Sequence, residues 1–244
     1  MLAFVKRRRL RHGLNFEQFE EGWRAEKGYP VKNRVLNATR NDDLDEVVTV
    51  GFMDMPKMFA SMALKKGAEQ DSVETDRHDR VDEVTGETLM SAQYQAVAEY
   101  DFTAGPRSIK PGSKGSILHF KHAEPSAAGT KARPMLAAIT VRQLREGTDL
   151  RALAAARSAG ELRAPGCRLL DLRNLDNDRD ILTIAFLGDA DGEYADRIGA
   201  LDADVATLTE GIAWSGLYTF RSEHDFKKVP VDVPVGSSQS ILNF

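Results

Sequence analysis

The chain has 244 residues, a formal net charge of −4, 42% hydrophobic and 29% charged residues, and a single cysteine, Cys167. That balance is ordinary for a globular protein, and its acidity speaks against a general nucleic-acid binder. One cysteine excludes an intrachain disulfide and fits a reducing compartment. No apolar run approaches the ~18 residues needed to span a bilayer, and the first apolar residues are followed, not preceded, by basic ones. The expectation is a soluble cytoplasmic protein with no membrane or nucleic-acid partner.

The first elements follow from periodicity. Residues 2–8 alternate, with Ala3 and Val5 on one side and Leu2, Phe4 and Lys6 on the other, which predicts a strand. Gly13 breaks it, Asn15 stands where an N-cap would, and Phe16, Phe19 and Trp23 follow at helical spacing. Gly28-Tyr29-Pro30 ends that helix before a second strand near Arg34–Thr39. Asn41-Asp42-Asp43 is a turn sequence, and Glu46–Met53 reads as a third strand, forming a hairpin with the second. A second helical region is predicted after Asp54, with Pro56 in its first turn. A fourth strand is expected near Gln93–Phe102 and a short fifth strand or arm at Ser116–Phe120.

The pattern then returns. Gly112–Phe120 (GSKGSILHF) is echoed 124 positions later by Gly236–Phe244 (GSSQSILNF). Residues 1–54 align with 135–188 at an offset of 134, with about 12 identities, where this composition would give roughly 3 or 4 by chance. Arg34 falls on Arg168, Thr49 on Thr183 and Phe52 on Phe186; at the later offset Tyr94, Glu99 and Asp101 fall on Tyr218, Glu223 and Asp225. The reading is a tandem duplication: unit one at 1–120, a linker at 121–134 and unit two at 135–244. Each unit has the order β-α-β-β-α-β of the split βαβ, or ferredoxin-like, motif. The fold class is α+β. A four-stranded sheet covered by helices on one face needs a partner on the other, so the two antiparallel sheets are expected to pack as an α+β barrel. This makes an intramolecular pseudo-dimer, with a homodimer of such chains as the alternative.

Two units with a helix of the Phe16-x-x-Phe19-x-x-x-Trp23 kind and a hairpin ending in Glu46-Val47-Val48-Thr49-Val50-Gly51-Phe52 resemble the dimeric α+β barrel superfamily, which includes antibiotic-biosynthesis-type monooxygenases. The resemblance rests on element order and apolar pattern. It implies a small-molecule cavity in or beside each unit and no metal or bound organic cofactor. The function it suggests is a cofactor-independent monooxygenase or isomerase acting on an aromatic or polyketide-like compound, with a non-catalytic ligand-binding or assembly protein as the alternative. A tandem chain of this length also resembles chlorite dismutase-type haem proteins, whose haem hangs from a histidine in the second half. Here that half holds only His224.

Residues kept by both units, such as Arg34/Arg168 and Glu99/Glu223, read as determinants of the fold, so chemistry is sought where the units differ. His119 faces Asn243, His12 faces Glu146 and Trp23 faces Arg157. The catalytic candidates are therefore His119, His12 and Tyr94, histidine and phenol being the side chains suited to proton transfer. The competing reading of His119 is a sheet-edge histidine bonded to backbone or water. Trp23, Met53, Met58 and Arg34 are the ligand-binding candidates, methionines because they adapt to irregular apolar ligands as well as filling cores. The basic run from Lys6 to His12 is either a cationic mouth for an anionic substrate or a solvated strand end paired with the acidic stretch 69–87. No histidine pair has zinc spacing, and no G-x-S-x-G, P-loop or G-x-G-x-x-G occurs.

Overall fold

The computed structural model of the chain describes residues 1–24, 32–54, 71–103, 107–127, 129–159, 166–188, 198–199, 202–203, 205–227 and 229–244. In chain order these form β1 (Leu2–Leu10), α1 (Phe16–Trp23), β2 (Asn33–Arg40), β3 (Glu46–Met53), α2 (Asp71–Val84), β4 (Thr85–Asp101) and β5 (Arg107–Ile109), then β6 (Met135–Leu144), α3 (Leu150–Ala159), β7 (Arg168–Asn174), β8 (Asp180–Gly188), β9 (Thr209–Asp225) and β10 (Val231–Val233). Every strand pairing is antiparallel.

Eight strands follow one another in the order β1-β3-β2-β9-β6-β8-β7-β4, and β4 pairs back to β1, closing the sheet into a barrel. Closure within one chain leaves the barrel no open edge. Residues 1–103 supply β4-β1-β3-β2 and residues 135–227 supply β9-β6-β8-β7, joined at two seams, β2–β9 and β4–β7. Neighbours alternate in direction, so β1 and β6, four places apart around the barrel, run the same way. A half-turn about the barrel axis relates the two sets of strands.

Strand alternation divides the apolar residues into layers. Ala3 and Val5 of β1 point inward with Leu36, Ala38, Val48, Val50 and Phe52, and meet Ile139, Leu170, Leu182, Ile184 and Phe186 from the opposite wall. The barrel interior is a packed core. The other face of β1 and β3 gives Leu10 and Val47 to Phe16, Phe19 and Trp23 of α1 and Val81 of α2. Asn15 caps α1: its side chain accepts from the Gln18 amide at 3.0 Å while the Gln18 side chain accepts from the Asn15 amide at 3.0 Å, a reciprocal capping box. Asp149 caps α3 through the Ala152 amide at 2.8 Å.

Of the two readings of 116–120, strand or arm, the structure has the arm, and 240–244 is formed in the same way. Both segments are chained turns: Ser113, Ser116 and His119 each donate an amide to the carbonyl three residues back, and Ser237, Ser240 and Asn243 do the same. The short strands β5 and β10 lie earlier, at 107–109 and 231–233. Glycine explains the turn, because Gly112, Gly115 and Gly236 all have positive φ. Each arm is anchored by a buried glutamate. Glu99 accepts from the Ser116 hydroxyl and from the Ile117 amide at 2.9 Å; Glu223 accepts from the Ser240 hydroxyl at 2.5 Å and the Ile241 amide at 3.0 Å. Leu118 and Leu242 are buried, and the half-buried Phe120 and Phe244 pack against the barrel core.

The same glutamates take part in ion clusters that cross the seams. Arg34 on β2 reaches Glu223 at 3.1 Å and Asp225 at 2.8 Å on β9, and its guanidinium lies 5.4 Å from the Phe120 ring. Arg168 on β7 reaches Glu99 and Asp101 on β4, both at 3.1 Å, and lies 5.4 Å from the Phe244 ring. Both arginines begin strands of like direction, so the clusters sit at the same end of the barrel. The long strands β4 and β9 begin at Thr85 and Thr209, well before the expected start near Gln93 for the former. Their first halves are polar and contain Gly86, Gly211 and Gly216, so they show little alternation, yet pairing with β1 and β6 holds them extended.

Candidate functional site

A titratable cluster lies where α1 meets β9 and β10. His224 is on the outer face of β9, 4% exposed, its ring 5.7 Å from that of Phe226 in a stacked arrangement. Its Nε2 is 2.5 Å from Glu20 Oε1 on α1, and its Nδ1 is 2.8 Å from Asp232 Oδ1 on β10. Burial, the largest single influence, favours the neutral ring, but the hydrogen bonds and charges of the two carboxylates together outweigh it and lift the pKa to about 9. His224 is thus an imidazolium at neutral pH with both N–H groups donating. Asp232 is held below the usual carboxylate range by the same bond. Helical spacing explains Glu20: Phe16, Phe19 and Trp23 face the sheet, and Glu20 sits at the margin of that stripe where it can turn back to β9.

Glu20 also faces a cleft of about 430 Å³ lined by Phe16, Glu17, Glu20, Glu21, Arg24 and Arg221. The Arg221 guanidinium lies 5.7 Å from the Phe16 ring. The cleft therefore offers an aromatic wall, cations from Arg24 and Arg221, and the carboxylates of Glu17, Glu20 and Glu21, of which Glu20 is backed by a buried imidazolium. A chain of ionisable groups runs Glu20–His224–Asp232 from the cleft to Asp232, whose side chain is 69% exposed.

The residues singled out from sequence lie in separate places. His119 is exposed in the arm, with Nδ1 3.1 Å from the Gly112 carbonyl. His12 is exposed at the β1–α1 turn. Tyr94 is buried in the barrel interior, its hydroxyl 4.0 Å from Met90 Sδ, and burial pushes the phenol up to about 12. Trp23 packs under α1 between Phe19 and Phe226, with ring centroids 6.2 and 6.3 Å away. Met53 is half-buried at the end of β3, and Met58 lies outside the described residues. Arg34 is committed to Glu223 and Asp225, and donates to the Lys121 carbonyl at 2.8 Å. Of these residues Trp23 alone approaches the His224 cluster, through Phe226. The basic run is largely paired within the fold. Arg7 binds Glu46 in bidentate fashion at 3.0 Å, Arg9 meets Asp43 at 3.0 Å, and Arg11 donates to the Thr85 and Asp82 carbonyls.

The haem reading meets a chemical obstacle. With both nitrogens of His224 engaged by carboxylates as donors, the ring has no lone pair to give to an iron. Among the described residues no group of three or more histidine, cysteine or acidic side chains could hold a metal ion, and no helix is long and apolar enough to cross a membrane.

The chain matches no family model and no curated protein sequence. Solved structures share its fold. A candidate monooxygenase from Fusobacterium nucleatum superposes with a TM-score of 0.58 at 11% identity, covering 95% of this chain and 96% of that one. A candidate monooxygenase from Lactobacillus acidophilus gives 0.51 at 9% identity, covering 95% and 98%. An anthrone oxidase-like protein gives 0.54 at 11%, covering 92% and 93%. At such identities the likeness establishes an α+β barrel and no activity.

Proposed function

We propose that the chain is a doubled βαββαβ unit whose first half binds a small aromatic or polyketide-like molecule, and that Glu20 and His224 supply its acid–base chemistry. The duplication is supported by matched residues doing matched work: Arg34 and Arg168, Glu99 and Glu223, and Ser116 and Ser240 make equivalent contacts at the two seams. The linker 121–134 then joins two ferredoxin-like units into an internal pair.

The observation that carries the catalytic reading is a buried histidine held between two carboxylates, one of which forms the wall of a cleft. A strongly shifted titratable group beside a cavity is the usual mark of a reaction site. A substrate C–H or phenolic proton passes to the free oxygen of Glu20. His224 keeps both its protons, its charge balanced by Asp232 while Glu20 is neutral. An anion made this way beside Arg221 and Arg24 can react with dioxygen, or be reprotonated at another carbon, which gives the oxygenase and isomerase versions of one proton abstraction. Neighbours of the monooxygenase and anthrone oxidase-like kind favour the first version.

The test is dioxygen uptake with anthrone, whose ring CH2 is acidified by the carbonyl across the ring and which yields anthraquinone and water with one O2. Wild-type protein should exceed the buffer blank, and Glu20→Gln should lose about a hundredfold or more. If the wild type consumes no oxygen and exchanges no anthrone deuterium with solvent, the acid–base reading fails. NMR titration gives an activity-free check: the His224 midpoint near 9 should fall markedly in Glu20→Gln.

A further inference from the structure

The layer beneath α1 buries two donors with no hydrogen-bond partner among the described residues; beneath α3 Arg157 Nε also lacks a hydrogen bond, but Asp171 stands 3.6 Å from it. Arg8 of β1 is 3% exposed, and its Nη1 is buried with no hydrogen-bond partner among the described residues; Trp23 Nε1 is in the same condition. The two groups are neighbours, the Arg8 guanidinium carbon lying 5.7 Å from the Trp23 ring centroid. Arg77 of α2 stands over the same ring at 4.7 Å and 5.2 Å from the Phe226 ring. Burial draws the Arg8 pKa down to about 10; the exposed Asp82 supports the charge and the Arg77 charge opposes it.

At the matching positions of the second half the charges are closed. Arg142, the counterpart of Arg8, is ion-paired with Asp202. Arg157, the counterpart of Trp23, meets Asp171 at 3.6 Å and Thr183 at 3.4 Å. At the offset of 124 that aligns Thr85 with Thr209, the place of Asp202 is taken by His78 in the first half. So Arg142 has its acid in direct contact, whereas the acid that supports Arg8, Asp82, is exposed and makes no hydrogen bond to Nη1.

We propose that the first half's helix–sheet layer is an oxyanion site, in which Arg8 Nη1 and Trp23 Nε1 receive the carboxylate of a small aromatic acid. Both atoms are donors only, and a buried cationic donor left unmatched is costly unless an anion completes it. Two N–H donors on neighbouring side chains suit the two oxygens of a planar carboxylate. The rings of Trp23, Phe19 and Phe226 supply an aromatic bed for the rest of the molecule. This site stands on its own observations and does not require Glu20 or His224 to be catalytic.

The experiment is a fluorescence titration in a Trp214→Phe background, which leaves Trp23 the sole indole reporter, with benzoate as the anionic probe and benzamide as its uncharged analogue. Benzoate should quench saturably and bind at least tenfold more tightly than benzamide. Arg8→Gln should weaken benzoate at least tenfold while its unliganded Tm stays at or above that of the parent, since an unmatched cation has been removed. Arg142→Gln, which strips Asp202 of its partner, should lower Tm and leave benzoate binding unchanged. Equal binding of benzoate and benzamide, or undiminished binding by Arg8→Gln, overturns the proposal. So does an Arg8→Gln protein that folds poorly, because Arg8 would then be held by partners of its own.

Discussion

The layers beneath α1 and α3 are assembled on matched positions, yet they bury polar groups in opposite ways. Under α1 the trio is Trp23, Asn37 and Thr49, with the Thr49 hydroxyl donating to Asn37 Oδ1 at 2.8 Å. Under α3 it is Arg157, Asp171 and Thr183, with the Thr183 hydroxyl donating to Asp171 Oδ1 at 2.7 Å. The threonine bond is kept; the charge is not. The two layers differ at two positions at once, tryptophan and asparagine in one, arginine and aspartate in the other, so that neither layer strands an ion at this spot. At the barrel end the halves instead agree contact for contact, through Arg34 with Glu223 and Arg168 with Glu99. Closure of the barrel constrains that end, whereas each helix layer need only be consistent within itself.

Three measurements would break or sharpen this contrast. The largest effect is expected at the barrel end. Arg34→Met takes from the buried Glu223 and Asp225 the cation they share, leaving them only His122 and neutral donors, and should cost about 3–5 kcal/mol in urea unfolding. Arg168→Met should cost less, because the Arg168 side chain is 12% exposed against 2% for Arg34 and water can reach its acids. Equal costs would mean that the two seams are energetically alike. Next comes the α3 layer: Asp171→Asn should cost about 2–3 kcal/mol by leaving Arg157 without its carboxylate. Arg157→Trp combined with Asp171→Asn, which copies the first half, should recover a large part of that loss. A double mutant no better than the sum of its single changes would show that the trios are not exchangeable.

The smallest effect is a pH dependence centred on β9. Burial raises Glu223 to about 7 against the donors Ser240, Ile241 and Arg34, and His224 stands at about 9. Both are raised above their unfolded values, so the folded chain binds more protons than the unfolded one over those ranges. Their stabilising contributions are complete below about 4.5 and 6.5 and are lost as pH rises through 7 and 9. Asp101 and Glu46 are lowered and act in the other direction, losing their contribution in acid. Stability should therefore be greatest in mildly acidic solution and decline toward pH 9. Glu223→Gln should flatten the lower part of that decline and leave the part above 6.5. A profile that rises steadily to pH 9 would contradict the shifts.

Much of the fold could be read from local pattern. The alternation of Leu2–Arg8, the cap at Asn15 and the turn at Asn41–Asp43 each report a short-range preference, and β1, α1 and the β2–β3 hairpin follow them. What escaped was set by distant partners. The start of β4 at Thr85 depends on pairing with Leu10, and the arms at 116–120 look apolar enough for strands until glycine φ angles and the buried glutamates are known. The site was harder still. His224 looked like a lone histidine in an acidic stretch because its decisive partner, Glu20, is 204 residues away. The difference between Trp23 and Arg157 stood in the sequence, but the acid that receives Arg157, Asp171, is identified by the contact at 3.6 Å.

Closing the barrel inside a single chain has a consequence for how such a protein responds to concentration and to change. Both seams join segments of one covalent chain, so their encounter is intramolecular and its effective concentration is fixed by that tether. Dilution that would separate two loosely associated chains leaves this barrel shut. The tether also frees each half from copying the other. In an assembly of identical chains every substitution appears twice, so an unmatched arginine placed under one helix would burden both. Here Arg8 Nη1 has no hydrogen-bond partner among the described residues while Arg142 is paired with Asp202, an inequality that a single chain can carry on one side only.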